Sequence, residues 1–183
     1  MLRSVLVALD GSAYSESAIA LAIDWAGRFG AQLLGLGVLD VPSIRGAEPV
    51  PLGAGAYKKA RDEARLVEAH RRVVEFLADF QARSQAAGIA AEVIENIGDP
   101  AARILREAQR CDLVILAGET HFRFETQEQP DETLAEVLRG SPRPVVVVPR
   151  ELREGQGIVL AYGGGREAAR RAHVVSADWP RER

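Results

Sequence analysis

Asp10-Gly11-Ser12 closes the apolar run Ser4 to Leu9, setting a carboxylate and a hydroxyl at the end of an extended segment. The triplet lacks the spacing of a nucleophile elbow, in which a serine stands between glycines on a strand-to-helix turn. A second group falls between Gly118 and Glu132. His121 and Arg123 could hold an anion there, while Glu119, Glu125, Glu128, Asp131 and Glu132 would repel one unless a divalent metal bridged carboxylates to phosphates. A third, Gly163-Gly164-Gly165, offers backbone N–H groups ahead of a helix-like run but lacks the lysine of a P-loop, and a flexible junction is the plainer reading. His70, His121 and His173 have no metal-ligand spacing. The single cysteine, Cys111, rules out an internal disulfide framework. It opens the apolar run Leu113 to Leu116, reads as inert packing and fits a reducing compartment. No catalytic constellation results, and an enzyme is not expected.

The elements that must carry these groups follow from periodicity. Ser4 to Leu9 is a near-continuous apolar run, as a strand covered on both faces requires. Ala18, Ile19, Ala22, Ile23, Ala26 and Phe29 then recur at helical spacing, and Gly30 stands where a helix ends. Gln32 to Leu39 is a second strand, and Asp40 to Gly55, rich in Pro and Gly, is a loop. A long helix runs from about Tyr57 to Ala87, with Leu66, Val67, Val73, Val74, Leu77 and Phe80 as its apolar side and His70 as a partly buried structural histidine. Ala91 to Ile97 is a third strand, and Asp99-Pro100 reads as an N-cap with proline at the first helical position. Asp112 to Ala117, Thr133 to Arg139 and Pro144 to Pro149 give a fourth strand, a short helix and a fifth strand. This β-α alternation calls for a parallel sheet with helices on both faces. The fifth strand, Val145 to Val148, has no full-length helix after it, and such an edge invites pairing with a second copy.

Composition narrows the classes. With 183 residues, 47% hydrophobic and 27% charged, the chain can bury one ordinary core and carry an appendage. A net charge of -3 offers no field for nucleic acid or an anionic membrane. No apolar run nears the roughly 20 residues that cross a bilayer, and the first residues lack the pattern of a secretory signal, so a cytoplasmic protein is expected. After Arg150, the stretch Gly157 to Ala169 repeats the shape of Val5 to Ser12 and the helix behind it. Residues 1–150 thus read as one domain, and 151–183 as the truncated start of a second repeat or a C-terminal extension.

Several blocks, together, resemble the universal stress protein family. They are the opening Val5 to Ala18, the run Ile97-Gly98-Asp99-Pro100-Ala101 with Ile104-Leu105, the strand Cys111 to Gly118, and the closing Leu138-Arg139, Ser141 to Pro144 and four valines. The resemblance covers nearly all of residues 1–150. It implies an adenine nucleotide alpha hydrolase-like fold, an open five-stranded sheet in the order 3-2-1-4-5, dimers through the fifth strand, and, in one branch, ATP at the C-terminal edge of the sheet. In that order, strands one and four meet at a topological switch point, where ligands bind in open α/β sheets.

The ATP-binding branch carries G-x2-G-x9-G-[ST] after strand four. Laid on this chain the spacing is kept at positions 118, 121, 131 and 132, but only Gly118 has the right type; His121, Asp131 and Glu132 replace the rest. A carboxylate roughly 4 Å from a phosphate charge costs about 1 to 4 kcal/mol per pair. Asp131 also reads as a helix cap after Pro130. By resemblance Asp10 contacts adenine or ribose and Val38 lines the base pocket; the alternatives are a turn residue and a core valine. His121 and Arg123 complete the candidate crevice as rim cations. The expected function is a non-catalytic, homodimeric stress-response module with a degenerate crevice, no assured cofactor and an unidentified protein partner. The alternative is an ATP or AMP binder, with slow ATPase activity as its enzymatic form.

Overall fold

The computed structural model describes residues 2–46 and 54–152. Strand β1 (Ser4–Leu9) lies at the centre of a five-stranded sheet with β2 (Gln32–Leu39) on one side and β4 (Leu113–Ala117) on the other. β3 (Ala91–Ile97) pairs outside β2, and β5 (Val145–Val148) outside β4. Every pairing is parallel, and the order is β3-β2-β1-β4-β5.

Period-two alternation divides the core into two layers. Val5, Val7 and Leu9 of β1 meet α1 (Ala13–Phe29) and α3 (Gly55–Ala86) on one face. Leu6 and Ala8 meet α4 (Pro100–Ala108) and α5 (Thr133–Gly140) on the other. β2 shows the same alternation with a twist of composition: Leu34, Leu36 and Val38 go to the α4 side, while Gly35 faces α3. A Cβ at Gly35 would come within 2.6 Å of the Phe80 ring, so glycine there lets α3 approach the sheet backbone. α1 stops at Gly30 in the left-handed conformation. α4 starts as its sequence requires, with the Asp99 carboxylate accepting from Ala102 N–H at 2.9 Å and Pro100 at the first position.

Three expectations need correction. The loop after β2 holds a short helix, α2 (Val41–Ile44), whose first turn is capped by Asp40 accepting from Ser43 N–H. On α3 the buried line is Asp62, Ala69, Val73, Leu77, Phe80 and Ser84; Val67 and Val74 are 71% and 47% exposed. α3 is covered on one side only, so the wide apolar stripe of its sequence overruns the face that the sheet can cover. His70 is exposed too, with Nε2 at 3.3 Å from Glu95 of β3. Cys111 is buried as expected, and that burial raises its thiol pKa. The repeat-like stretch from Gly157 onward lies outside the described residues.

Candidate functional site

Because β1 and β4 are neighbours, the chain leaves their C-terminal ends in opposite directions and a crevice must open between the two following loops. The first loop is set by Asp10, which is 3% exposed. Its Oδ1 accepts from Ser15 Oγ at 2.6 Å and from Ser12 N–H at 2.9 Å, fixing the turn into α1. Its Oδ2 accepts from the backbone N–H of His121 at 2.6 Å. Asp10 therefore ties the β1 turn to the loop after β4.

That second loop, 118–132, is closed at its neck. Asp131 N–H donates to the Thr120 carbonyl at 2.8 Å, and the buried Thr120 hydroxyl donates to Asp131 Oδ1 at 2.7 Å. Asp131 Oδ1 also accepts from Thr133 N–H at 3.0 Å, at the start of α5, and Oδ2 accepts from Arg123 N–H at 3.2 Å. Burial by itself would raise the Asp131 pKa, but the hydrogen bonds from Thr133, Thr120 and Arg123 outweigh it and hold the carboxyl below its ordinary value. The cap reading of Asp131 needs correction: Glu132 is the N-cap of α5 and makes no side-chain cap bond, while Asp131, one residue earlier, fixes the turn into the helix through Thr133 N–H.

The loop then folds over the ends of β2 and β3. Phe122, 3% exposed, joins the apolar cluster that contains Leu36, Val38, Ala8 and Leu116. Arg123 Nε donates to Asp40 Oδ2 at 3.0 Å, and its NH2 group to Asp99 Oδ2 at 3.4 Å. Burial would lower the Arg123 pKa, yet Asp40, Asp99 and Asp131 raise it overall, so the guanidinium stays charged. Arg72 of α3 lies 3.9 Å over the Phe124 ring, and Ser43 of α2 meets Thr126 at 2.7 Å. What remains between Val38, Asp40, Ala69 and Phe122 is a cavity of about 10 Å³, at the lower limit for a single water.

The sequence candidates converge on one end of the sheet, joined to the structure around them. Val38 is 1% exposed. Gly118 donates its N–H to the Val148 carbonyl at 2.7 Å, and a Cβ there would stand 3.2 Å from that same oxygen. Its glycine is explained by close approach to β5. The His121 ring stacks on Tyr14 at 6.0 Å, with Arg150 on the Tyr14 ring at 5.7 Å; the tyrosine hydroxyl is held by Glu119, which raises its pKa. Sequence reasoning gave Asp40 no role and read Asp99 only as a helix cap, while Thr120 and Phe122 stood beside His121 at the crevice rim, with Phe122 as a residue that could block it. Asp40 and Asp99 each end a strand and open a helix, a signal that was legible; the burial of Phe122 was not. Among the described residues, no three His, Cys, Asp or Glu side chains gather to hold a metal ion, and no helix is long and apolar enough to cross a membrane.

An open parallel sheet in this order, helices on both faces, with its switch point under the loops after β1 and β4, defines the doubly wound α/β class of fold. Within it, the chain belongs to the universal stress protein family, whose model matches residues 1–149. A universal stress protein family member from Burkholderia pseudomallei is similar at 27% identity and TM-score 0.55, over 81% of this chain and 96% of that one. The protein UspA from Lactobacillus plantarum follows at 21% and 0.55, over 80% and 97%. A family protein from Arabidopsis thaliana, solved with AMP bound, is similar at 14% and 0.54, over 81% and 92%. No curated protein sequence matches the chain.

Proposed function

We propose that this chain is a non-catalytic universal stress protein module of the cytoplasm that works as a homodimer through protein contacts, with its nucleotide crevice filled by its own loop. One observation carries the reading: Phe122 lies in the cluster of Val38, and Arg123 is bound to Asp40 and Asp99, which leaves about 10 Å³ where a base and ribose would have to enter. The lost glycines agree with this. His121 and Asp131 stand where phosphate-facing glycines would be, and the Asp131 charge is fixed close by. For the dimer, the supporting feature is β5, whose outer edge has no partner strand among the described residues and whose Val147 is 41% exposed.

Calorimetry of the purified chain with AMP, and with ATP and Mg²⁺, should give no binding heat, and acid extraction should release no nucleotide. The second reading is an adenine nucleotide binder or slow ATPase. It is favoured by the AMP held in the Arabidopsis relative, and measurable AMP binding to the wild-type chain would establish it over the first.

A further inference from the structure

The loop after β4 presents three features in consecutive residues, and each meets a receptor on the body of the fold. The His121 backbone N–H reaches Asp10 Oδ2 at 2.6 Å. The Phe122 ring enters the apolar cluster with Val38. The Arg123 guanidinium spans Asp40, at 3.0 Å, and Asp99, at 3.4 Å. Asp10 and Asp40 are 3% and 4% exposed, so both carboxylates are sunk in the floor. Asp10, Asp40 and Asp99 stand at the ends of β1, β2 and β3, on segments separate from the loop they receive. Acidity alone does not specify an occupant. The seated pair does, because an apolar slot next to a two-carboxylate seat is complementary to a ring followed by a guanidinium and mismatched to a phosphate ester.

We propose that this crevice is a recognition site for an aromatic–arginine segment of a polypeptide, and that Phe122-Arg123 is its resident occupant, displaced by a partner segment of the same chemistry. The inference rests on the reading that the crevice is closed to nucleotides and names the kind of protein contact it makes instead. A ring against Val38 and a guanidinium on Asp40 and Asp99 supply the contacts of the incoming segment, while the His121 N–H of the chain keeps its bond to Asp10. In the resting chain, the tethered loop competes at high effective concentration, so a free segment binds weakly until the loop's hold is broken.

The test uses the full chain with Phe122→Gly and Arg123→Gly together. The His121 N–H bond to Asp10 and the backbone bond at position 123 to Asp131 both survive these changes. The probe is acetyl-Gly-Phe-Arg-amide. At about ten times its Kd it should raise the Tm of the variant by about 3 °C, and leave the wild type unmoved at the same concentration. The glutamine analogue, acetyl-Gly-Phe-Gln-amide, and AMP should do nothing. Asp40→Asn, which keeps an acceptor for Ser43, should abolish the response. If the double variant does not fold, Arg123→Gln decides, with an expected gain in peptide affinity of at least about tenfold over wild type. The proposal is overturned by a folded variant that ignores the arginine peptide, by equal binding of the glutamine analogue, or by a variant that prefers AMP. Nucleotide binding by the wild type would instead sink the reading beneath it, whereas a silent peptide with a nucleotide-free wild type would sink this inference alone.

Discussion

The crevice above β1 and β4 and the outer edge of β5 treat their polar groups in opposite ways. In the crevice, Asp10, Asp40, Asp99 and Asp131 all accept hydrogen bonds, each of them at least one from residues 118–132, and Phe122 removes the remaining space. Along β5, a row of backbone groups faces outward with no neighbouring strand among the described residues. A site filled by its own loop has little left for a small molecule and opens only to a segment that displaces the loop, while an unpaired edge retains bonding capacity. That difference shifts the search for partners from small molecules toward other chains.

The largest effect is expected where the crevice is sealed. Phe122→Ala should cost about 3 kcal/mol in urea unfolding, because its ring belongs to the core; a loss under about 1 kcal/mol would mean that the ring is a loose cover. Next comes Asp131→Ala, which frees the Thr133 N–H at the start of α5 and strands the Thr120 hydroxyl, for a loss of about 2 kcal/mol. The same carboxyl gives a pH signature. Its folded pKa is depressed, so its contribution is fully present above the unfolded value near about 4 and is lost as pH falls through the folded value. Acid titration of stability should therefore be shallower below about pH 4 in Asp131→Asn than in wild type.

At the open edge, Val147→Asp should change monomer stability by less than about 1 kcal/mol, yet convert dimers to monomers in sedimentation. Val147 suits this better than Val146, which packs against the core. An unchanged dimer would place the interface elsewhere. The smallest effect is expected from His121→Ala, within about 0.5 kcal/mol, since the contact to Asp10 comes from the backbone and the ring only stacks on Tyr14.

How much of the site was legible in the sequence depends on the range of the forces involved. The Asp99-Pro100 helix start was readable because a cap bonds to the next turn, three residues away. Arg123 was readable as a cation near the crevice, but its partners lie 83 and 24 residues away in sequence, and pattern carries no such distance. His121 was read through its side chain, whereas the structure uses its amide.

The sequence by itself determined the α/β class, the five strands and the Asp99-Pro100 helix start, since these follow from periodicity and from residue types at short spacing, while the missing glycines after β4 were legible only against the pattern of the family that the chain resembles. Only the tertiary structure decided which face of α3 is covered, why β2 carries Gly35, and that Phe122 and Arg123 turn inward to fill the switch point. The physical reason is that burial and ion pairing depend on which segments the sheet order brings together. A hydrophobic residue in a loop reads the same in sequence whether it faces water or closes a pocket.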